Sequence, residues 1–174
     1  MSDFLNKVIT IILIFVLLVL APLLISYMST DMVTERLVLN DVTQFIDKTT
    51  DKALITQQDL NELYMAVNSH GNSFDVDVYR YQLVEEELPG KKTKTLYLKL
   101  DDVERLEAGD LPDVKLNIKD VVKVHVEESA LSPGKRLFWT VLRVDKGKFS
   151  FSLAGTLRYS REVRLWKYGV LYLI

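Results

Sequence analysis

Asp75 and Asp77 stand two residues apart in the run FDVDVYRY, where apolar and polar residues alternate. On a β-strand that spacing puts both carboxylates on one face, near enough to share a divalent cation or to divide acid and base duties. Glycoside chemistry would also need a cleft to separate and tune the pair, and nothing in the sequence marks one. Of the 2 histidines, His125 alternates with Lys123 and Glu127, opposite Val122, Val124 and Val126, the pattern of a solvated strand face. His70 falls where a helix should end, a place where imidazole caps carbonyls and meets the helix dipole favourably. Asp101-Asp102 and Glu85-Glu86-Glu87 flank turns without calcium-loop spacing, and no phosphate loop, Gly-x-Ser-x-Gly elbow, His-Glu-x-x-His helix or dinucleotide fingerprint occurs. With 0 cysteines there is neither a disulfide framework nor a thiolate metal site. The expectation is no catalytic residue, no cofactor, no metal and no enzyme. A hydrolase working through Asp75 and Asp77 is the alternative that a double Asn substitution would test.

The strongest signal is apolar. Val8 to Met28 reads VITIILIFVLLVLAPLLISYM without a charge, and as a helix rising ~1.5 Å per residue it is long enough for ~30 Å of hydrocarbon. A cleaved signal peptide is the rival reading, but its apolar core would be roughly 7 to 15 residues followed by a small-x-small site. Here Pro22 follows Ala21, and Tyr27 and Met28 occupy later positions where small side chains are wanted. Residues 1–28 are therefore expected to be a transmembrane anchor and residues 29–174 an extracytoplasmic domain, helical over 29–71 and sheet over 74–174. That remainder, roughly 145 residues, suffices for one core. Lys7 against Asp3 before the span, and Asp31, Glu35 and Arg36 after it, bias orientation little. A short first flank and a large second one favour a cytoplasmic N-terminus. A net charge of -2, with both signs interspersed, predicts no grip on nucleic acid.

Beyond the span, Val38, Val42, Phe45 and Ile46 recur as a helical stripe, and the simplest reading is one helix from about Asp3 to about Thr49, kinked at Pro22. A break near Ser29, with Ser29 or Thr30 as cap, is the alternative. Thr56 and Asp59 form a capping-box pattern ahead of Leu60, Leu63, Tyr64 and Val67, and Gly71 marks the stop of that second helix. Phe74, Val76, Val78 and Arg80 then share one strand face, with Asp75, Asp77, Tyr79 and Tyr81 on the other. Val84 to Lys94 reads as an exposed hairpin tip around Pro89-Gly90, with strand resuming over Thr95 to Leu100. Asp101 to Asp113 is a short helix or a loop. Strands are expected over Val114 to Ile118, Val121 to Glu127, Arg136 to Val144 and Phe149 to Tyr159, the last two as a hairpin. The aromatic tail through Trp166, Tyr168 and Tyr172 is expected to dock on the core. The fold class is α+β: a long N-terminal helix, a second short helix, then a mainly antiparallel sheet.

The segment VTQFIDKTTDKALITQQDLNELYMAVNSHGNSFDVDVYRY resembles a pattern in minor pilin-like proteins of bacterial tight-adherence (TadE-type) pilus systems. The likeness is carried by Gln44 to Asp47, Leu54 to Thr56, Leu63, and Gly71 to Tyr81, about forty of 174 residues, together with the preceding apolar helix. A pilin precursor should show Gly before the apolar segment and Glu five residues into the mature chain. Asn6-Lys7 precede Val8, and Val8 to Met28 holds no acid, unlike a processed major filament subunit. The resemblance implies a pilin-like fold and a minor pilin or pseudopilin that helps initiate, cap or assemble a pilus or a type II/IV-like secretion machine. It would sit in the bacterial cytoplasmic membrane, N-terminus inside and domain outside, or in a pilus. Its partners would be the lipid bilayer and other single-helix pilin-like or secretion-platform subunits, with homo- or hetero-oligomers formed through the N-terminal helix. Val8, Ile12, Phe15, Val19 and Pro22 are the expected anchor and partner-helix contacts, and Val38, Val42, Phe45 and Ile46 the expected helix–sheet contacts. The other reading is a single-pass, membrane-tethered binding or sensor domain for an extracellular ligand or envelope partner.

Overall fold

In the computed structural model, which describes residues 2–88, 92–144 and 147–157, a single unbroken helix leads into a small antiparallel sheet. It comprises α1 (Ser2–Phe15), a π-helical turn (Val16–Leu20) and α2 (Ala21–Lys52), about 75 Å at ~1.5 Å per residue. Proline lacks the N–H that closes an α-turn, and its ring crowds the carbonyl four residues back. The chain responds just upstream of Pro22 by widening: the Ala21 N–H donates to the Val16 carbonyl, an i→i+5 bond. The break considered at Ser29 does not occur. The helix ends where Ala53 turns left-handed at φ 54°.

Next come β1 (Leu54–Thr56) and α3 (Gln57–Asn68). The capping box is reciprocal: Thr56 Oγ1 accepts from the Asp59 N–H at 3.2 Å, and Asp59 Oδ2 accepts from the Thr56 N–H at 3.2 Å. α3 ends at Asn68, and Gly71 takes φ +88° in the turn beyond it, open space around it. β2 (Phe74–Leu88) and β3 (Lys92–Leu100) form a hairpin whose strands run further into the charged stretch than expected, and its Pro89-Gly90 tip lies outside the described residues. The region from Asp101 resolves into α4 (Asp102–Glu107), and β4 (Asp113–Lys115) pairs with β1. The strand expected to reach Ile118 stops at Lys115, because Asn117 to Asp120 turn back, the Asp120 N–H donating to the Asn117 carbonyl at 3.0 Å.

β5 (Val121–Glu128), α5 (Pro133–Leu142) and β6 (Ser150–Thr156) complete the described fold. The second sheet has the order β3-β2-β5-β6, antiparallel throughout. The expected strand over Arg136 to Val144 is instead α5, so the expected hairpin does not form and β6 pairs with β5. The reason is local: Ser132 Oγ accepts from the Lys135 N–H at 3.1 Å, and Pro133 occupies the first turn, a helix start rather than a strand-breaking turn. Residues 158–174, where the final strand and tail were expected, lie outside the described residues.

The class is α+β. Val38, Val42, Phe45 and Ile46 of α2 lie in one core with Leu60, Leu63 and Val67 of α3, Phe74 and Val78 of β2, and Val122, Val124 and Val126 of β5. Helix and sheet approach closely at Gly155, where an added Cβ would come within 2.2 Å of Ile46 Cγ2. Arg80 shares the inner face of β2, buried; its Nε and Nη2 donate to Asp120 Oδ2 at 2.9 and 2.6 Å, and its Nη1 donates to Asp102. A buried guanidinium is tolerated because two carboxylates meet it.

Candidate functional site

From Val8 to Thr30 the chain carries no charge, and from Val8 to Val19 every residue of the helix is exposed. Val8, Ile12, Phe15 and Val19 are 39%, 58%, 56% and 50% exposed, and Pro22 is exposed as well. It is a helix long and apolar enough to cross a membrane, with 6% of its most apolar stretch buried. Fifteen large apolar side chains between Phe4 and Ile25 stand exposed. Covering such half-exposed groups gains roughly 1 kcal/mol each, on the order of 15 kcal/mol together. An aqueous surface of that kind is an interaction site by default.

Where the charged sequence resumes, a polar cluster fastens the helix to the sheet. Glu128, at the end of β5, is fully buried; it accepts from Lys135 Nζ at 2.6 Å, the Ser132 N–H at 2.9 Å and the Phe149 N–H at 3.1 Å. Lys135 Nζ also reaches Glu35 Oε1 at 3.5 Å, and Ser132 Oγ donates to Asp31 Oδ2 at 2.9 Å. Gly134 brings α5 onto α2 so closely that a Cβ would lie 2.9 Å from Asp31 Oδ2 and 3.0 Å from Tyr27 Cβ. The cluster borders a cleft lined in part by Met28, Met32 and Lys148. None of this was foreseen from sequence. The available signal was Ser132-Pro133, an N-cap followed by a first-turn proline.

A second fastening lies at the far end of α2. Lys48 Nζ bridges Asp59 Oδ1 at 2.8 Å and Glu62 Oε2 at 2.5 Å. These partners raise the Lys48 pKa, Asp59 most of all. Burial pushes the Asp59 carboxyl up, but hydrogen bonds from Lys48, Thr56 and Lys52 outweigh it and hold the group at about 2. His70 does not cap α3: its Nε2 lies 2.6 Å from Asp41 Oδ2 on α2. Burial, with Glu107 as hydrogen-bond partner, pushes the Tyr64 hydroxyl well above its usual range.

The outer face of the larger sheet carries the residues singled out for chemistry. Asp75 and Asp77 are exposed there, and register sets Asp77 opposite His125 and His125 opposite Ser152. The His125 Nδ1 lies 2.9 Å from Ser152 Oγ. Among the described residues, no hydrogen bond joins His125 to Asp77. The N–H groups of β5 are engaged by strands on both sides, leaving none there to stabilise an oxyanion. No three His, Asp or Glu side chains among the described residues come together as metal ligands. No family model, curated protein or solved structure matches this chain.

Proposed function

We propose that the protein is a non-enzymatic minor pilin-like, or pseudopilin-like, structural component of a pilus or type II/IV-like secretion machine. In this reading it is held in the bacterial cytoplasmic membrane by Val8 to Met28, with the N-terminus inside and the α+β domain outside. One observation carries it: the uncovered apolar half of the helix continues without a break into the half that forms the core. A joint of that kind transmits position, so helices packed in the bilayer would set the spacing and orientation of the domains above them. The resemblance around Gln44 to Asp47, Leu54 to Thr56 and Gly71 to Tyr81 supports the same reading. To test it, a photo-crosslinking side chain placed at Ile12 or Val19 is activated in native membranes and the products identified. Adducts to other single-helix subunits are expected, and adducts to lipid alone would defeat the proposal.

A second reading, a membrane-tethered binding or sensor domain, is favoured by the open polar sheet face bearing Asp75, Asp77, Lys123 and His125. Loss of binding to a defined envelope ligand on Asp77→Asn and Lys123→Ala substitution, with crosslinking through the helix absent, is the result that reading requires.

A further inference from the structure

α5 starts beside the last uncharged turn of the long helix and then leaves several apolar residues uncovered. Gly134 and Ser132 press its first turn onto Tyr27 and Asp31, and Lys135 is fastened to Glu128 and Glu35. Past this clamp, Trp139, Val141, Leu142 and Val144 are 50%, 39%, 49% and 48% exposed. Thr140 and Arg143 are exposed too, while Phe138, just before Trp139, packs into the body.

Position, charge and shape indicate what covers it. Asp31 is the first charge after the apolar run, so the clamp stands at the level where that run leaves hydrocarbon. Trp139 follows Gly134 by five residues, no more than ~8 Å along the helix at ~1.5 Å per residue. A headgroup layer is roughly 5–8 Å deep on each side of the bilayer, so Trp139 falls within reach of it. Helical spacing sets Arg136 and Thr140 along one stripe and Leu137, Val141 and Leu142 on another face, and Arg143 follows as the left-handed cap at φ 56°. From Ser129 to Val144 there is no acid, and beside Lys135, which is buried against Glu128, stand two exposed cations, Arg136 and Arg143. Exposed cations, apolar face and interfacial Trp are the marks of a helix lying in the plane of an anionic membrane surface.

We infer that α5 is a second membrane contact, an in-plane helix that inserts Trp139, Val141, Leu142 and Val144 among the headgroups and sets its arginines against lipid phosphates. The inference rests on the reading of Val8 to Met28 as a membrane span. Fixed at two points, the domain could no longer swivel about its helix.

The full chain carrying Trp166→Phe, which leaves Trp139 as the sole tryptophan, is reconstituted in vesicles of phosphatidylglycerol and phosphatidylcholine. Resistance to alkaline extraction reports the span independently. The expected result is retention in the membrane, blue-shifted Trp139 emission, quenching by lipids spin-labelled near the headgroup and protection from aqueous iodide. Arg136→Glu with Arg143→Glu should reverse the shift, since each cation at an anionic surface is worth roughly fivefold in occupancy. Leu142→Cys carrying an environment-sensitive dye, in a chain with 0 native cysteines, gives a second readout. A retained chain with iodide-accessible Trp139 overturns the α5 contact and leaves the span standing. Trp139 shielded from both iodide and lipid quenchers means that protein covers it and also overturns the inference. Extraction of the chain by alkali overturns both readings.

Discussion

The two halves of the long helix make opposite use of the same backbone. Up to Val19 its large apolar side chains stand uncovered around the whole circumference, while past Thr34 the apolar stripe of Val38, Val42, Phe45 and Ile46 is buried. The opposite side of that second half carries Arg36, Asn40, Thr43 and Asp47, all exposed. An α-helix satisfies its own backbone in either solvent, so side-chain distribution alone decides which surroundings each half requires. The division falls near Asp31, where Ser132, Gly134 and Lys135 gather against α2. A rod that must hold a body at a fixed height needs its fastening at the boundary, and the buried Glu128–Lys135 pair lies there.

The sharpest way to break this contrast is to exchange the environments by mutation. Val42→Asp places an unpaired carboxylate in the core and is expected to cost more than about 4 kcal/mol, seen as loss of cooperative denaturation of the full chain in detergent. Glu128→Ala leaves Lys135 with only the distant Glu35 and strands the Ser132 and Phe149 N–H groups. A loss of about 3 kcal/mol is expected, measured from the denaturant midpoint.

These two sites were not equally legible in the sequence. Val42 belongs to a stripe whose spacing is visible over more than two turns, and β2 declares itself by alternation from Phe74 to Tyr81. Thr56 and Asp59 likewise announce a helix within four residues. α5 was hidden because Ser-Pro-Gly reads equally as a turn, and the contiguous Leu137, Phe138 and Trp139 followed by β-branched Thr140 and Val141 suggest a strand. Tertiary contacts decide it, since Lys135 meets a carboxylate seven residues back and Ser132 meets one 101 residues away. The His70–Asp41 pair, spanning 29 positions, was beyond local pattern for the same reason. Of the candidate site, the apolar span was plain from composition, and the cluster that orients the domain on it was not.

Asp59 sharpens the comparison through pH. Its folded pKa of about 2 lies below the ordinary aspartate value of 3.8, so the stability it contributes is present above pH 3.8 and is lost as pH falls toward 2. The shift corresponds to about 2 kcal/mol. Asp59→Asn should therefore lower the denaturant midpoint at pH 7 and flatten its fall in acid, and an unchanged acid profile would contradict the assignment. At the small end, Ile12→Ala should change the domain's stability by less than about 0.5 kcal/mol, because its side chain takes no part in the core.

The most direct test of the central claim uses single cysteines, placed at Ile12, Val19 and Asn40 of the otherwise cysteine-free chain and exposed in native membranes to a water-soluble maleimide. Asn40 is expected to react once the reagent has access to its side of the membrane, while positions 12 and 19 stay unlabelled until the membrane is dissolved and the protein denatured. Labelling at position 12 as fast as at position 40 in intact membranes would place the first half of the helix in water and contradict the account.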